Sequence, residues 1–250
     1  MFKLFPYREE FILEKLKEYK NTLKELIIGN YKIKIDYIKN ELNGYMYNKA
    51  INEDIMAYSL YQDDHKIMDI SHREIESSYG SIKRASGRVG VVGLGLGYVA
   101  REMAKNPNVK KVVVYESSKE VIDLYRKSFK THPKIKIINC DAYKAKKDTF
   151  DFFYVDIYEY ELNERVVFDY KFFNGLHEIE NYTFCGMEHF LLSCAYDDLL
   201  YVYLPDGWLD VSRDYYEALK DSGYLEGYYE LDEEMVSRVL KRFEKVFNES

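Results

Sequence analysis

Arg88-Val-Gly-Val-Val-Gly-Leu-Gly-Leu-Gly-Tyr98 is the stretch on which the reading of this chain turns. Val89 to Val92 form a short continuous apolar run, as expected of a buried strand. Three alternating glycines follow, Gly93, Gly95 and Gly97. A helix is expected from Tyr98 to Lys105, with Val99, Met103 and Ala104 on its apolar side. Strand, glycine turn and helix in that order make a nucleotide-binding crossover. The glycines permit a tight turn and a close approach by a ligand, and the helix N-terminus offers free N–H groups. Gly95-Leu-Gly-Tyr-Val-Ala100 also fits the Gly-x-Gly-x-x-Ala string of a nicotinamide dinucleotide site. Asp141, at the end of a later strand, and the motif's mid-chain position weigh against that alternative.

Three later apolar runs each end on an acid. Lys111 to Tyr115 ends at Glu116, nineteen residues after Gly97, where a doubly wound fold places a carboxylate for ribose hydroxyls. Lys134 to Asn139 ends at Cys140-Asp141-Ala142. Asp151 to Val155 ends at Asp156-Ile-Tyr-Glu159. Ligands of open α/β sheets lie outside the carboxyl ends of the strands, so these acids belong to one candidate site. The bland reading of each acid is a helix cap or a solvated loop residue. The strands near 89–92, 111–115, 135–139 and 151–155 are expected to be parallel and adjacent, joined by right-handed crossovers.

Gly93-Leu-Gly-Leu-Gly-Tyr-Val-Ala-Arg-Glu102 and Asn106-Pro-Asn-Val-Lys-Lys-Val-Val-Val-Tyr-Glu116 together resemble the class I S-adenosylmethionine-dependent methyltransferase superfamily, and most closely its spermidine synthase-like branch. The resemblance covers roughly residues 65–160. It implies a Rossmann-like doubly wound α/β fold with a mainly parallel sheet. It implies that S-adenosylmethionine or decarboxylated S-adenosylmethionine binds across Gly93, Gly95 and Gly97. Glu116 would take the ribose, and Asp141 with Ala142 the adenine. Asp156 would lie beside the sulfonium, as cofactor-binding residue and proton acceptor. Glu159 is the second catalytic candidate. The branch carries Asp-x-x-Asp-Pro where this chain has Asp156-Ile-Tyr-Glu159, a departure that weakens aminopropyl transfer. The Asn/Asp-Pro-Pro-Tyr string of DNA amino-methyltransferases is absent as well.

The 250 residues suffice for one domain with appendages, and 47% hydrophobic residues support a sizeable core. The formal net charge of −7 makes non-specific nucleic-acid binding an unfavoured default. The charge is uneven: residues 88–156 carry a net +6 and residues 157–250 a net −13. Cys140, Cys185 and Cys194 give no disulfide framework or zinc spacing, and the five His no metal-ligand spacing, consistent with a reducing cytoplasm. No apolar run reaches membrane-spanning length.

Residues 8–28 read as one amphipathic helix through Ile12, Leu16, Tyr19, Leu23 and Leu26, closed by Gly29-Asn30. It packs either on its own domain or in a homodimer. Tyr31 to Ile38 is ambiguous between strand and helix. Ala57 to Ile70 reads as a hairpin outside or on the rim of the main sheet, matching the small N-terminal β-region of the resembled branch. Ser71-His-Arg-Glu74 fits a capping box; the branch also has a His-Glu near this position that lines the donor pocket. Further on, one helix is expected over Leu162 to Ile179 and a fifth strand over Tyr182 to Cys185. His189 to Leu204 is a buried helix, or a helix then a strand, stopped by Pro205-Asp-Gly207. Helices follow near Asp214 to Leu219 and Asp232 to Phe247. Few strand signals remain, so the usual seven-stranded sheet is expected to be cut short.

The expected division is an N-terminal helix and hairpin region, 1–86, a nucleoside-binding domain, 87–205, and a helical extension, 206–250. The expected function is an S-adenosylmethionine-dependent methyltransferase on a small-molecule or protein acceptor. The alternatives are an aminopropyltransferase with an amine acceptor and a non-catalytic interaction protein that keeps the fold. The acidic, tyrosine-rich last third could attract an amine or simply form solvated helix faces.

Overall fold

The structure, a computed structural model, describes residues 9–38, 45–47, 55–158 and 160–248. Its centre is a five-stranded parallel sheet. The strands are β5 (Gly87–Val92), β6 (Val109–Glu116), β7 (Ile135–Asn139), β8 (Thr149–Val155) and β9 (Glu178–Phe184), in the order β7-β6-β5-β8-β9. Val112 to Val114 and Phe153 to Val155 are all fully buried. Such unbroken apolar runs mark parallel strands covered on both faces. The four strands expected to be parallel and adjacent are so, in registers that pair Val91 with Val114 and with Tyr154. The sheet order reverses direction at β5, and the glycine turn lies at the carboxyl end of that strand. The fold is Rossmann-like and doubly wound, with five strands among the described residues.

Around this sheet pack α3 (Tyr98–Lys105), α4 (Lys119–Ser128) and α5 (Arg165–Leu176). A second, antiparallel sheet precedes it: β1 (Leu26–Ile28), β2 (Tyr31–Ile38), β3 (Ile55–Gln62) and β4 (His65–Asp69), in that order. The hairpin expected at 57–70 is β3 and β4, and it stands outside the parallel sheet. Tyr31 to Ile38 is a strand.

The expected helix over 8–28 is shorter. α1 spans Glu9–Lys20, Leu23 is buried beyond its end, and Leu26 belongs to β1. Leu26-Ile-Ile28 carries two β-branched residues and leads into Gly29, at φ +58°, so a tight hairpin onto β2 satisfies the backbone that the helix would otherwise use. Ile12, Leu16 and Tyr19 of α1 are buried within this chain's own core. Tyr19 donates from its hydroxyl to Glu102 on α3 at 2.9 Å, and Lys15 pairs with the same carboxylate at 2.7 Å.

The C-terminal third departs further from the expectations. α5 stops at Leu176, because His177 turns to extended backbone and Ile179 enters β9. β9 therefore begins four residues before the expected strand. His189 to Leu204 contains two short helices and no strand, α6 (Met187–Ser193) and α7 (Tyr196–Tyr201). Pro205 opens α8 (Asp206–Ser222) where a stop was expected. A proline costs nothing at a helix start, since its missing N–H has no partner there. α9 (Glu233–Asn248) closes the chain and buries Val239 and Phe243. Among the described residues no helix is long and apolar enough to cross a membrane.

Candidate functional site

The cleft forms where β5, β6 and β8 end. Gly93, at φ +96°, brings its backbone against the carbonyl of Asp156; a Cβ there would meet that oxygen at 2.6 Å. The Asp156 N–H in turn donates to the Val92 carbonyl at 2.9 Å. This exchange fixes the fourth strand's acid beside the first strand's turn. At Gly95 a Cβ would lie 2.2 Å from Met68 Sδ, and the Leu96 N–H points at the same sulfur at 3.3 Å. The glycine turn is thus shaped to receive a side chain of β4, a use the sequence did not disclose.

Glu116 divides the cleft. Its carboxylate accepts the Leu94 N–H at 3.0 Å and the Ser118 N–H at 2.7 Å, so backbone amides of two turns hold it fixed. On one side lies a cavity of about 380 Å³ walled by Tyr115, Asp141, Ala142, Tyr143 and Arg165. The Asp141 carboxylate accepts the Tyr143 N–H at 3.1 Å and starts a short 3-10 turn that places Ala142 at the cavity wall. On the other side is a cavity of about 250 Å³. Its floor is Gly93, Gly95 and Asp156, and its roof is Tyr31, Leu60, Ile67 and Met68 of the antiparallel sheet. Gly93, Glu116 and Ile157 border both cavities. Gly97, the third motif glycine, faces away, its α carbon against the Tyr125 ring.

The second cavity is acidic. Glu74 enters it from α2 (His72–Arg84), with Asp156, Tyr160 and Cys185 around it. Tyr160 donates its hydroxyl to Glu74, and the Arg73 guanidinium lies 4.8 Å from the centre of the Tyr160 ring. Burial pushes Glu74 well above the usual carboxylate range, and the neighbouring charge of Asp156 pushes it the same way. Burial likewise raises Asp156 to about 6. Among the described residues no Lys, Arg or His lines this cavity. Two carboxyl groups in one cleft, with no basic side chain on its wall among the described residues, suit a cationic guest and can hold or give up a proton near neutral pH.

Glu74 overturns the capping-box expectation. Ser71 is the N-cap of α2 but makes no side-chain cap hydrogen bond, and Glu74 turns into the cavity. The Ser-x-x-Glu spacing suits both roles, and the Tyr160 hydroxyl takes the carboxylate in place of the N-cap backbone. Of the candidates, Gly93, Gly95, Glu116, Asp141, Ala142 and Asp156 come together at the cleft. Glu159 lies outside the described residues. Met68, Tyr160, Cys185 and Arg165 were not singled out from the sequence. Tyr160 follows Asp156 closely enough to be suspected, whereas Met68 and Cys185 arrive from separate elements with no local signal.

Residues 68–181 match the spermine/spermidine synthase domain family. No curated protein sequence matches the chain significantly. Among solved structures, the chain is similar to spermidine synthase from Thermotoga maritima, at 17% identity over 58% of this chain and 50% of that one, with a TM-score of 0.35. It is also similar to the 23S rRNA methyltransferase ErmE, at 22% identity over 43% and 42% of the two chains, with a TM-score of 0.35. For the YcgJ protein from Bacillus subtilis the values are 21%, 32%, 37% and 0.26. The chain spans half or less of the length of each. The matched domain takes in the glycine turn, all three strand-end acids, Glu74 and four of the five parallel strands in full. The chain thus carries a spermine/spermidine synthase-like stretch over residues 68–181, set on a Rossmann-like, doubly wound parallel sheet.

Proposed function

We propose that this protein is a transferase that binds an S-adenosyl sulfonium nucleoside across the cleft and alkylates an amine. The observation that carries the reading is the Glu74–Asp156 pair in a cavity that, among the described residues, no basic side chain lines. The residues fit such a donor in order: Asp141 and Ala142 beside the base, Glu116 at the ribose, and the carboxylate pair at the cationic end. A bound donor supplies an electrophilic carbon, whose bond to sulfur breaks with the electron pair going to sulfur.

The chain's own part is orientation, exclusion of water and proton transfer. An amine attacks only through its free lone pair, yet in water it is mostly protonated. Asp156, ionised above about pH 6, can take the ammonium proton, and Glu74 can share it. Met68 and Leu60 of the antiparallel sheet keep water from the reacting end. Among the described residues no cation lines the cavity, which favours a donor without a carboxylate, hence decarboxylated S-adenosylmethionine and aminopropyl transfer. Methyl transfer from S-adenosylmethionine is the second reading, favoured by the missing proline and by Glu159 in place of the branch's second Asp.

The test is to incubate the protein with each donor and a panel of primary amines, diamines, small acids and peptides, and to identify products by mass. Aminopropylated amine from the decarboxylated donor supports the first reading. Methylated product selects the second, and no product with either donor removes the enzyme reading in favour of a binding protein.

A further inference from the structure

Asp169 lies on α5, is fully buried, and lines neither cavity. Its carboxylate nevertheless reaches towards both sides of the cleft. One oxygen accepts the Tyr143 hydroxyl at 2.5 Å, and the other accepts the Tyr158 hydroxyl at 2.8 Å. Tyr143 belongs to the 3-10 turn after β7 and walls the Asp141 cavity. Tyr158 stands two residues after Asp156, in the loop that leaves β8. Arg165, one helical turn before Asp169, lies 3.5 Å from its carboxylate and donates to the Tyr143 hydroxyl at 2.9 Å. That guanidinium also borders the Asp141 cavity.

A buried carboxylate is costly unless its oxygens are well supplied with donors. Here the donors come from two loops that do not otherwise share a hydrogen bond among those described. Tyr143 is further fixed by its ring, stacked on Phe173 at 5.2 Å. Tyr158 packs edge-on against Phe184 of β9. Moving either tyrosine therefore pulls on the anion that holds the other.

We infer that Asp169 is a positioning residue that ties the Tyr143 turn to the loop carrying Asp156, so that filling the Asp141 cavity steadies the acid at the reacting end. The second clause rests on the nucleoside reading above; the tie itself does not. In physical terms the ligand and the acid loop share one ordering cost, which is met once for both.

The test is hydrogen exchange on the full chain, with Tyr143→Phe and Tyr158→Phe, each of which removes one hydroxyl and leaves the ring packed. Without ligand, Tyr143→Phe should speed exchange about fivefold or more at residues 157–162, and Tyr158→Phe should do the same at 141–145. In an Asp169→Ala background neither change should add to the other loop's exchange. Effects confined to each variant's own loop, or persisting unchanged without Asp169, overturn the tie. The phenylalanine variants carry the test if Asp169→Ala does not fold. S-adenosylmethionine and its decarboxylated form are then added. Slowed exchange at both loops in the wild type, with the slowing at 157–162 reduced in Tyr158→Phe, supports the coupling. Slowing at 157–162 in Tyr158→Phe equal to that in the wild type overturns it. If neither nucleoside alters exchange in the wild type while the ligand-free cross-effects hold, the tie stands and the nucleoside reading fails.

Discussion

Asp156 and Glu74 are two acids that burial shifts upward, Glu74 further through the nearness of Asp156. Asp156→Asn keeps the shape and removes the basicity. It is expected to reduce transfer by about 10²–10⁴, the usual loss for a proton acceptor, with nucleoside affinity kept within a few-fold. Wild-type-like rates in a labelled-donor assay would reduce Asp156 to a structural role. In the wild type the rate should rise with pH through about 6, as Asp156 ionises. Glu74→Gln removes the group with which Asp156 shares its proton, so the midpoint of that profile should move; an unmoved midpoint would mean that the two acids do not share their protons. The places of Asp156, Asp141 and Glu116 at the cleft were legible from sequence because each follows or ends a strand at a place set by topology. Glu74 was only half legible. Its Ser-x-x-Glu spacing is the same for a cap and for a pocket acid, and what separates them is tertiary: Tyr160, 86 positions away, supplies the hydroxyl.

At the scale of elements, the glycine turn and the β3–β4 hairpin are one construction. Gly95 leaves room for Met68 Sδ, and Met68 closes the acidic cavity. Gly95→Ala places a Cβ at φ +49° against that sulfur. It should cost about 1–2 kcal/mol for the left-handed backbone and roughly 1–3 kcal/mol more for overpacking. Adding Met68→Ala should recover the overpacking part, which urea midpoints of the single and double variants would reveal. Strict additivity would separate the turn from the hairpin. The parallel strands were legible because each is a short valine- or phenylalanine-rich run bounded by turns. Elements that depend on partners were less so. The spacing of Leu23 and Leu26 continues α1's pattern, yet Gly29-Asn30 folds that segment into a hairpin. Pro205-Asp-Gly207 carries the composition of a stop and serves as a start, since nothing local says which side of a proline is helical.

Across the whole molecule, buried acids shape the response to pH. Glu76, holding the Tyr45 N–H and the Tyr47 hydroxyl, is raised by burial to about 7, and Glu188 likewise. The folded state therefore binds more protons than the unfolded one between about 4.5 and 7, and stability falls as pH rises through that window. His189, lowered by burial to about 4, acts in the opposite sense between about 4 and 6.5. Two raised glutamates outweigh one lowered histidine, so a shallow decline is expected from about 4.5 to 6.5 and a steeper one from there to about pH 7. Glu76→Gln should flatten it and stabilise the protein at pH 8 by roughly 1–3 kcal/mol; melting curves parallel to wild type across pH 5–8 would contradict this. The same whole-molecule arrangement, an antiparallel sheet set over the ends of a parallel one, makes the cleft and its division at Glu116. Calorimetric titration of wild type and Glu116→Ala with S-adenosylmethionine and with its decarboxylated form tests that centre most directly. The structure predicts one site per chain, tighter for the decarboxylated donor, and a loss of about 1.5–3 kcal/mol on Glu116→Ala, the range for a hydrogen bond to a charged group. Equal binding by wild type and variant, or binding of neither nucleoside, would contradict it.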